Sequence, residues 1–338
     1  MNILFVGPTY IGDAAICTGL VQALLERYPS ARLTIAAGAT AVPLFAAVPG
    51  LERLWPIVKR KPIGHWFDLW RATLGKRWEA VVDLRGSGLA WFLWARERRI
   101  FRPDSSKGHR SQALAAVLGL DNLPTPRLWV GPEAAAAAAK LVPPDGPPIL
   151  ALGPTGRYAY KLWRPEAFAE LAGHLTAATG PLPGARIAVL GAAHERSLTE
   201  PIFDRLPEKR RIDLVGATDL ATVAAVLQRA AMFVGVDSGL LYVATAAAIP
   251  TVGLLGPTRG LFGPESGDLV APWAPKVAIA RTPEAVEDLA APTHAERIVS
   301  PPQLDSLSVE TVEAVANSLL ARLGGQNAAG SGPAADSR

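Results

Sequence analysis

One cysteine, Cys17, stands in 338 residues. A lone thiol excludes internal disulfides and suits a reducing compartment, and with no metal-ligand spacing around it Cys17 reads as a small buried residue on a helix. Histidine is equally scattered: His65, His109, His174, His194 and His294 form no HExxH pair or cluster, and no DxD pair occurs. The sequence therefore implies no bound metal. No run of about 18 apolar residues is free of charge and proline, so no segment reads as a membrane span. The opening apolar stretch follows no basic region and is interrupted by Pro8, Gly12 and Asp13, which makes it a first strand and not a signal peptide. The expected location is the cytoplasm.

Charge of one sign is also missing. Lys and Arg total 34 against 30 Asp and Glu, a formal net charge of +4. That balance suits anionic ligands or an anionic surface and is too mild to imply nucleic acid. What the chain does have is apolar content, 49% of residues, ample for the roughly two domains its length suits.

The rest is organised around residues 232–258, MFVGVDSGLLYVATAAAIPTVGLLGPT. Its spacing predicts strand, turn, helix, strand. Buried strands joined by a helix imply a parallel sheet, whose ligands lie beyond the carboxyl ends of the strands. Asp237-Ser238-Gly239 and Gly256-Pro257-Thr258 then share that edge. Two readings of the first cluster stand: a helix cap, with Ser238 as N-cap and Asp237 favouring the dipole, or a phosphate pocket at a helix N-terminus.

The first half alternates strands (2–7, 32–38, 53–58, 80–85) with helical patterns (13–27, 40–48, 67–78, and from 88 and 111), ending in the alanine-rich helix around 134–139. The segment VPPDGPPI at 142–149 breaks any element and marks the domain boundary. Strands at 149–153, 186–191 and 212–215 follow, with helices near 165, at 195–206 and at 219–230. Residues 271–303 are poorly periodic, 308–323 form a last helix, and the tail 324–338 reads as disordered. The expectation is an α/β chain of two doubly wound Rossmann-like halves facing a cleft: an acceptor-side domain over 1–143, a donor-binding domain over 149–303, a terminal helix within 304–323 and the tail.

The first turn, GPTYIGD at 7–13, has P-loop glycine spacing but places Asp13 where a P-loop needs lysine, and no GxGxxG occurs anywhere, so neither a nucleoside triphosphatase loop nor a dinucleotide fingerprint is present. Asp13 is either an N-cap or a carboxylate aimed across the cleft, placed for general-base work on a hydroxyl. After the strand at 149–153 come Thr155, Arg157 and Lys161, either a solvated loop or a diphosphate grip. Residues 85–110 hold Arg85, Arg96, Arg98, Arg99, Arg102, Lys107 and Arg110 among Trp91, Phe92, Trp94 and Phe101. They read either as a charged face over a packed aromatic core or as a basic surface, Arg98, Arg99, Arg102 and Lys107 foremost, for an anionic membrane-bound acceptor. The aromatics fall at helical positions, which argues against base stacking on nucleic acid.

Taken together, Ile11-Gly12-Asp13, AVVDLRGSG at 80–88, Arg98 to Phe101, Lys161-x-Trp163-x-x-Glu166-x-Phe168, the turn at 191–196, and Val236-Asp237-Ser238-Gly239-Leu240 followed by Gly256-Pro257-Thr258 resemble the ADP-heptose:lipopolysaccharide heptosyltransferases, glycosyltransferases of GT-B architecture. The resemblance covers nearly the whole chain to about Leu323. It implies that Asp13 is the catalytic base, that Lys161 contacts the donor phosphates, and that Asp237, Ser238, Gly239, Leu240 and Thr258, with Thr155, line the donor site. It implies no cofactor: the nucleotide sugar, ADP-heptose by resemblance, is a substrate, and the acceptor is an anionic glycolipid reached by peripheral contact with the inner membrane's cytoplasmic face. Two departures are visible. Tyr242 stands where the family has histidine, and Pro8, Thr9 and Tyr10 stand where it has basic or serine-rich residues. Two other functions share the fold, a nucleotide-sugar epimerase and a non-catalytic nucleotide-sugar-binding module.

Overall fold

The computed structural model describes residues 1–60, 63–102, 110–122, 124–256, 275–284 and 304–330. Five parallel strands form the first sheet: β1 (Asn2–Val6), β2 (Arg32–Gly38), β3 (Leu51–Ile57), β4 (Trp78–Asp83) and β5 (Ala95–Ile100), in the order β3-β2-β1-β4-β5. The central strands are near-continuous apolar runs buried on both faces, as parallel sheets require. Charged residues collect on the edge strands β3 and β5, where solvent reaches them and where they discourage pairing with another chain. Helices α1 (Ile11–Arg27), α2 (Gly64–Thr73), α3 (Arg110–Val117) and α4 (Pro132–Leu141) belong to this half.

The second sheet has six parallel strands, β6 (Ile149–Gly153), β7 (Arg186–Gly191), β8 (Arg211–Val215), β9 (Met232–Val236), β10 (Thr251–Leu255) and β11 (Val277–Arg281), in the order β11-β10-β9-β6-β7-β8. Its helices are α5 (Pro165–Leu175), α6 (Arg196–Phe203), α7 (Leu220–Leu227), α8 (Gly239–Ala246) and the terminal α9 (Val309–Gly330). Two doubly wound parallel sheets are the expected α/β architecture. The Pro-rich segment between α4 and β6 separates the sheets along the chain, yet one apolar core runs across it, because α1 packs along α8 and α4 along α7.

Each sheet reverses its winding direction once. In the first the reversal lies between β1 and β4, in the second between β6 and β9, and ligands of open α/β sheets bind at such points beyond the strands' carboxyl ends. The turns entering these two crevices therefore begin at Gly7 and Leu84 in one half, and at Pro154 and Asp237 in the other.

Several expectations fail locally. The helical pattern at 40–48 contracts to a single 3-10 turn, Val42–Phe45, and α2 stops at Thr73 because Trp78 already starts β4. The helix expected from Gly88 is a 3-10 turn, Leu89–Phe92, followed by β5. Gly88 takes a left-handed φ of 79°, which turns the chain there at no steric cost. Residues 277–281, placed in an aperiodic stretch, pair with β10 as an edge strand too short to show a period. The terminal helix does not stop at Leu323 but continues through Gly330, since the helix formers after Gly324-Gly325 favour propagation over a new start. Among the described residues no helix is long and apolar enough to cross a membrane.

Candidate active site

The second sheet's crevice is built by two turns. After β9, Ser238 sits extended at φ −135° and ψ 174° and starts α8 as its N-cap residue. Its hydroxyl makes no capping bond, however, and is buried with no hydrogen-bond partner among the described residues. The capping account of Ser238 thus holds for the backbone and not for the side chain. Asp237 turns instead to the loop after β6: its Oδ2 pairs with Lys161 Nζ, and its Oδ1 accepts the Tyr242 hydroxyl at 3.1 Å. Lys161 ends a 3-10 turn, Ala159–Lys161, which aims its ammonium back at the β9 end.

The side chains of Lys161 and Asp237 are 16% and 19% exposed. Burial alone would lower the Lys161 pKa, but the Asp237 carboxylate, helped by Tyr160, outweighs it and the pKa is raised. The ammonium is therefore firmly charged at neutral pH. It has three donors, so binding Asp237 leaves others for an anion.

Thr155 is 2% exposed and donates its hydroxyl to Glu195 Oε2 at 2.8 Å, while the same oxygen accepts the Ala192 N–H at 2.8 Å. Its proton is thus spent on Glu195, and only its lone pairs are free for a ligand. Leu240 is partly buried against the apolar core, so its side chain offers a ligand no polar group. Thr258 lies outside the described residues.

The first sheet's crevice faces these groups. Tyr10, not Asp13, is the N-cap residue of α1, and Asp13 lies in that helix's first turn, where the dipole favours a carboxylate. The N-terminal turns of α1 and α8 meet at glycines: a Cβ on Gly12 would come within 2.9 Å of the Tyr242 ring, and one on Gly239 within 3.1 Å of Ile11 Cβ. This contact sets Asp13, the residue after Gly12, in the helix turn that lies against the start of α8, which follows Ser238. Tyr10 reaches across to Arg157, whose guanidinium lies 5.5 Å from the Tyr10 ring centroid and also 5.5 Å from that of Tyr158. The Tyr10 hydroxyl's hydrogen bond raises the Arg157 pKa.

On the acceptor side the four basic residues separate. Arg98 donates to three backbone carbonyls, of Ala90, Leu93 and Ala95, at 2.8–2.9 Å. Arg99 pairs with Glu97 at 3.0 Å, and Glu97 also takes Arg27. Both guanidinium groups are committed within the chain. Arg102 follows β5 with no ion pair among the described residues, and Lys107 lies outside them. Of the aromatics in this stretch Phe101 packs against the core, while Trp91, Phe92 and Trp94 are exposed, so the reading of a packed aromatic core beneath these arginines fails for those three.

Several participants were given no site role of their own from sequence, Arg85 among them although it is counted with the basic residues at 85–110. Arg85, at the end of β4, is half-buried with one Nη lacking a hydrogen-bond partner among the described residues, and burial lowers its pKa against the pull of Asp83 and Tyr10. Its position directly after a strand was a usable signal. Glu195 sits in the turn at 191–196 and accepts the Ala192 backbone N–H, but with alanine at the N-cap the sequence shows no capping-box signature there. Tyr10 and Tyr242 are visible only as departures from a pattern.

A family model described as glycosyltransferase family 9 (heptosyltransferase) matches residues 87–296, more than half of the chain. Lipooligosaccharide heptosyltransferase 2 of Haemophilus influenzae is 26% identical over 309 residues, covering 79% of this chain and 87% of its own. Lipopolysaccharide heptosyltransferase 2 of Salmonella typhimurium is 24% identical over 320 residues, 83% of this chain and 88% of its own. Among solved structures, E. coli ADP-heptose lipopolysaccharide heptosyltransferase II superposes with a TM-score of 0.73 at 21% identity, over 96% of this chain and 100% of that one. A family 9 glycosyltransferase of Veillonella parvula gives 0.76 at 17% identity, over 95% and 97%. With a GT-B frame and the family 9 model matched over more than half of its length, this chain belongs to glycosyltransferase family 9, the heptosyltransferases.

Proposed function

We propose that this glycosyltransferase moves a heptose from ADP-heptose to a lipopolysaccharide core acceptor, with inversion at the anomeric carbon and without a metal. The observation that carries the reading is the Lys161, Asp237 and Tyr242 group at the second sheet's crevice, with Asp13 in the α1 turn that lies against the start of α8. Relatives of similar length are named as heptosyltransferases of lipopolysaccharide or lipooligosaccharide, and one E. coli heptosyltransferase of the same fold was solved with ADP.

In the proposed step an acceptor hydroxyl oxygen forms a bond to the anomeric carbon as the bond from that carbon to the β-phosphate oxygen breaks. The bonding pair leaves on the diphosphate, and the hydroxyl proton passes to the Asp13 carboxylate. Negative charge grows on the leaving oxygen, and a preorganised cation there is the largest expected contribution. Lys161 supplies it, with Asp237 and Tyr242 fixing its direction. The free N–H groups at the start of α8 favour the same anion. On the acceptor side Arg102, with no ion pair among the described residues, is the cation suited to acidic groups of the acceptor.

Mass spectrometry of the products from ADP-heptose with and without a lipopolysaccharide-core acceptor tests the reading, with an EDTA arm. Transfer that persists in EDTA and needs the acceptor is expected. Transfer that is lost in EDTA and restored by magnesium or manganese overturns the metal-free account, and transfer only from a different nucleotide sugar overturns the donor.

A further inference from the structure

The first half of the chain carries an apolar surface that no part of the described fold covers. On α2 two stripes run side by side. Trp66, Leu69 and Thr73 face the sheet, with Leu69 fully buried. Ile63, Phe67, Trp70 and Leu74 recur at the helical spacing on a second stripe, and there Ile63, Phe67 and Leu74 are 51–65% exposed. Trp70 ties this stripe to the turn after β4 by donating its indole N–H to the Phe92 carbonyl at 3.2 Å. That turn presents Trp91, Phe92 and Trp94, at 62%, 72% and 68% exposed. Monomeric proteins rarely leave so many large side chains together in water.

The surroundings are cationic. Arg71, three and four residues from Leu74 and Phe67, has no ion pair among the described residues, and Arg77 lies over Trp94 at 4.1 Å from the ring centroid. The acid next to Phe67, Asp68, is neutralised by Arg60 at 3.1 Å. Arg98 holds the turn's shape with its three carbonyl bonds and lies 5.9 Å from the Trp91 centroid. The aromatics are therefore fixed outward by construction.

We propose that this face, α2's second stripe together with Trp91, Phe92 and Trp94, docks on an anionic phospholipid bilayer. Tryptophans with arginine beside apolar side chains match the headgroup boundary, where an aromatic body sits in the acyl edge and cations meet lipid phosphates. Arg71, without an ion pair among the described residues, and Arg77, stacked on Trp94, put positive charge at the rim of the apolar face, where it complements lipid phosphates. The inference extends the proposed function in giving a lipid-anchored acceptor its membrane contact, but its test needs no transfer reaction.

The test is co-sedimentation of the full chain with vesicles of phosphatidylcholine alone and of phosphatidylcholine with phosphatidylglycerol at three to one. Wild type is expected to bind the anionic vesicles at least about tenfold better, each cation near the surface contributing about 1 kcal/mol. Phe67→Ser with Phe92→Ser should abolish that binding, and Arg71→Glu should weaken it, while ADP titration and thermal melting stay unchanged. Brominated lipid should quench tryptophan fluorescence in wild type. Equal sedimentation of wild type and variants overturns the proposal. So does a concentration-dependent dimer, seen by light scattering, that the Phe67→Ser, Phe92→Ser variant loses while vesicle binding is absent, because it assigns the face to a second copy of the chain. Should ADP-heptose prove not to be the donor, the vesicle result stands or falls by itself.

Discussion

Tyr242 donates its hydroxyl to Oδ1 of Asp237 at 3.1 Å, reaching back along α8 to the strand end that precedes the helix. The same ring fills the space beside Gly12, so a single side chain touches both the Lys161 partner and the turn that carries Asp13. Tyr242 thus acts here as a neutral hydroxyl donor with a large ring, and it leaves the Lys161 and Asp237 charges to balance each other.

Tyr242→Phe should separate those two contacts. The ring stays against Gly12 while the hydrogen bond to a charged group, worth about 1.5–3 kcal/mol, is lost. Thermal stability is expected to fall by that order, and ADP to bind about tenfold more weakly as Asp237 and Lys161 lose their fixed direction. Unchanged ADP affinity in calorimetry would confine Tyr242 to packing.

Lys161→Met should weaken donor binding and slow turnover together, since the contact strengthens as charge grows on the leaving group. Removing one partner of a largely buried pair also costs about 3 kcal/mol of stability. The sign of its pH dependence follows from a raised lysine pKa: the contribution is complete below the ordinary lysine value of 10.5 and disappears as pH rises through the higher folded value. Denaturation of wild type and variant should therefore show a constant gap from pH 6 to about 9 that closes only in alkali. A gap that closes near neutrality would contradict the charged ammonium.

Much of this arrangement was legible in the sequence. Buried parallel strands are near-continuous apolar runs, so β1, β2, β6, β9 and β10 declared themselves, and Asp237 and Lys161 followed because ligand groups sit where such strands end. The edge strands did not: β5 reads ARERRI, and four charged residues in six leave none of the apolar run that marks a buried strand until it is seen at the sheet's rim. Arg98 and Arg99 were read as free cations for the same reason, since nothing in the order of residues reveals that one is spent on three carbonyls and the other on Glu97. Tyr242's hydroxyl bond and the Gly12 contact depend on how two halves meet, which local spacing does not encode.

Gly12→Ala offers a test of that meeting. Its Cβ would lie 2.9 Å from the Tyr242 Cδ2, too close for either to stay, so the ring must move and release Asp237. Turnover and ADP affinity should fall as in Tyr242→Phe or further. Adding Tyr242→Ala to Gly12→Ala should return melting temperature toward that of Tyr242→Ala alone, because the clash is gone. Independent, additive losses in the double variant would show that the two residues do not press on each other.

The last prediction concerns Asp13→Asn. Asp13 lies in the first turn of α1, whose N-cap residue is Tyr10, so replacement by asparagine removes a carboxylate near the positive end of the helix and leaves the N-cap residue in place. That electrostatic loss is about 0.3–1 kcal/mol, small enough to leave the fold intact. The effect on chemistry is expected to be far larger. An asparagine accepts no proton from the acceptor hydroxyl, and a general base contributes typically about 10²–10⁴ in rate. Turnover should therefore fall at least about a hundredfold, while ADP affinity and vesicle binding are unchanged, since neither involves the acceptor proton. The pH profile adds a second reading. The wild-type rate should fall in acid as the base is protonated, and the residual rate of the variant should lack that limb. A folded Asp13→Asn protein that turns over at the wild-type rate, with the acid limb intact, would move the base elsewhere on the opening. The strand-end carboxylate would then be Asp237, already held by Lys161 and Tyr242.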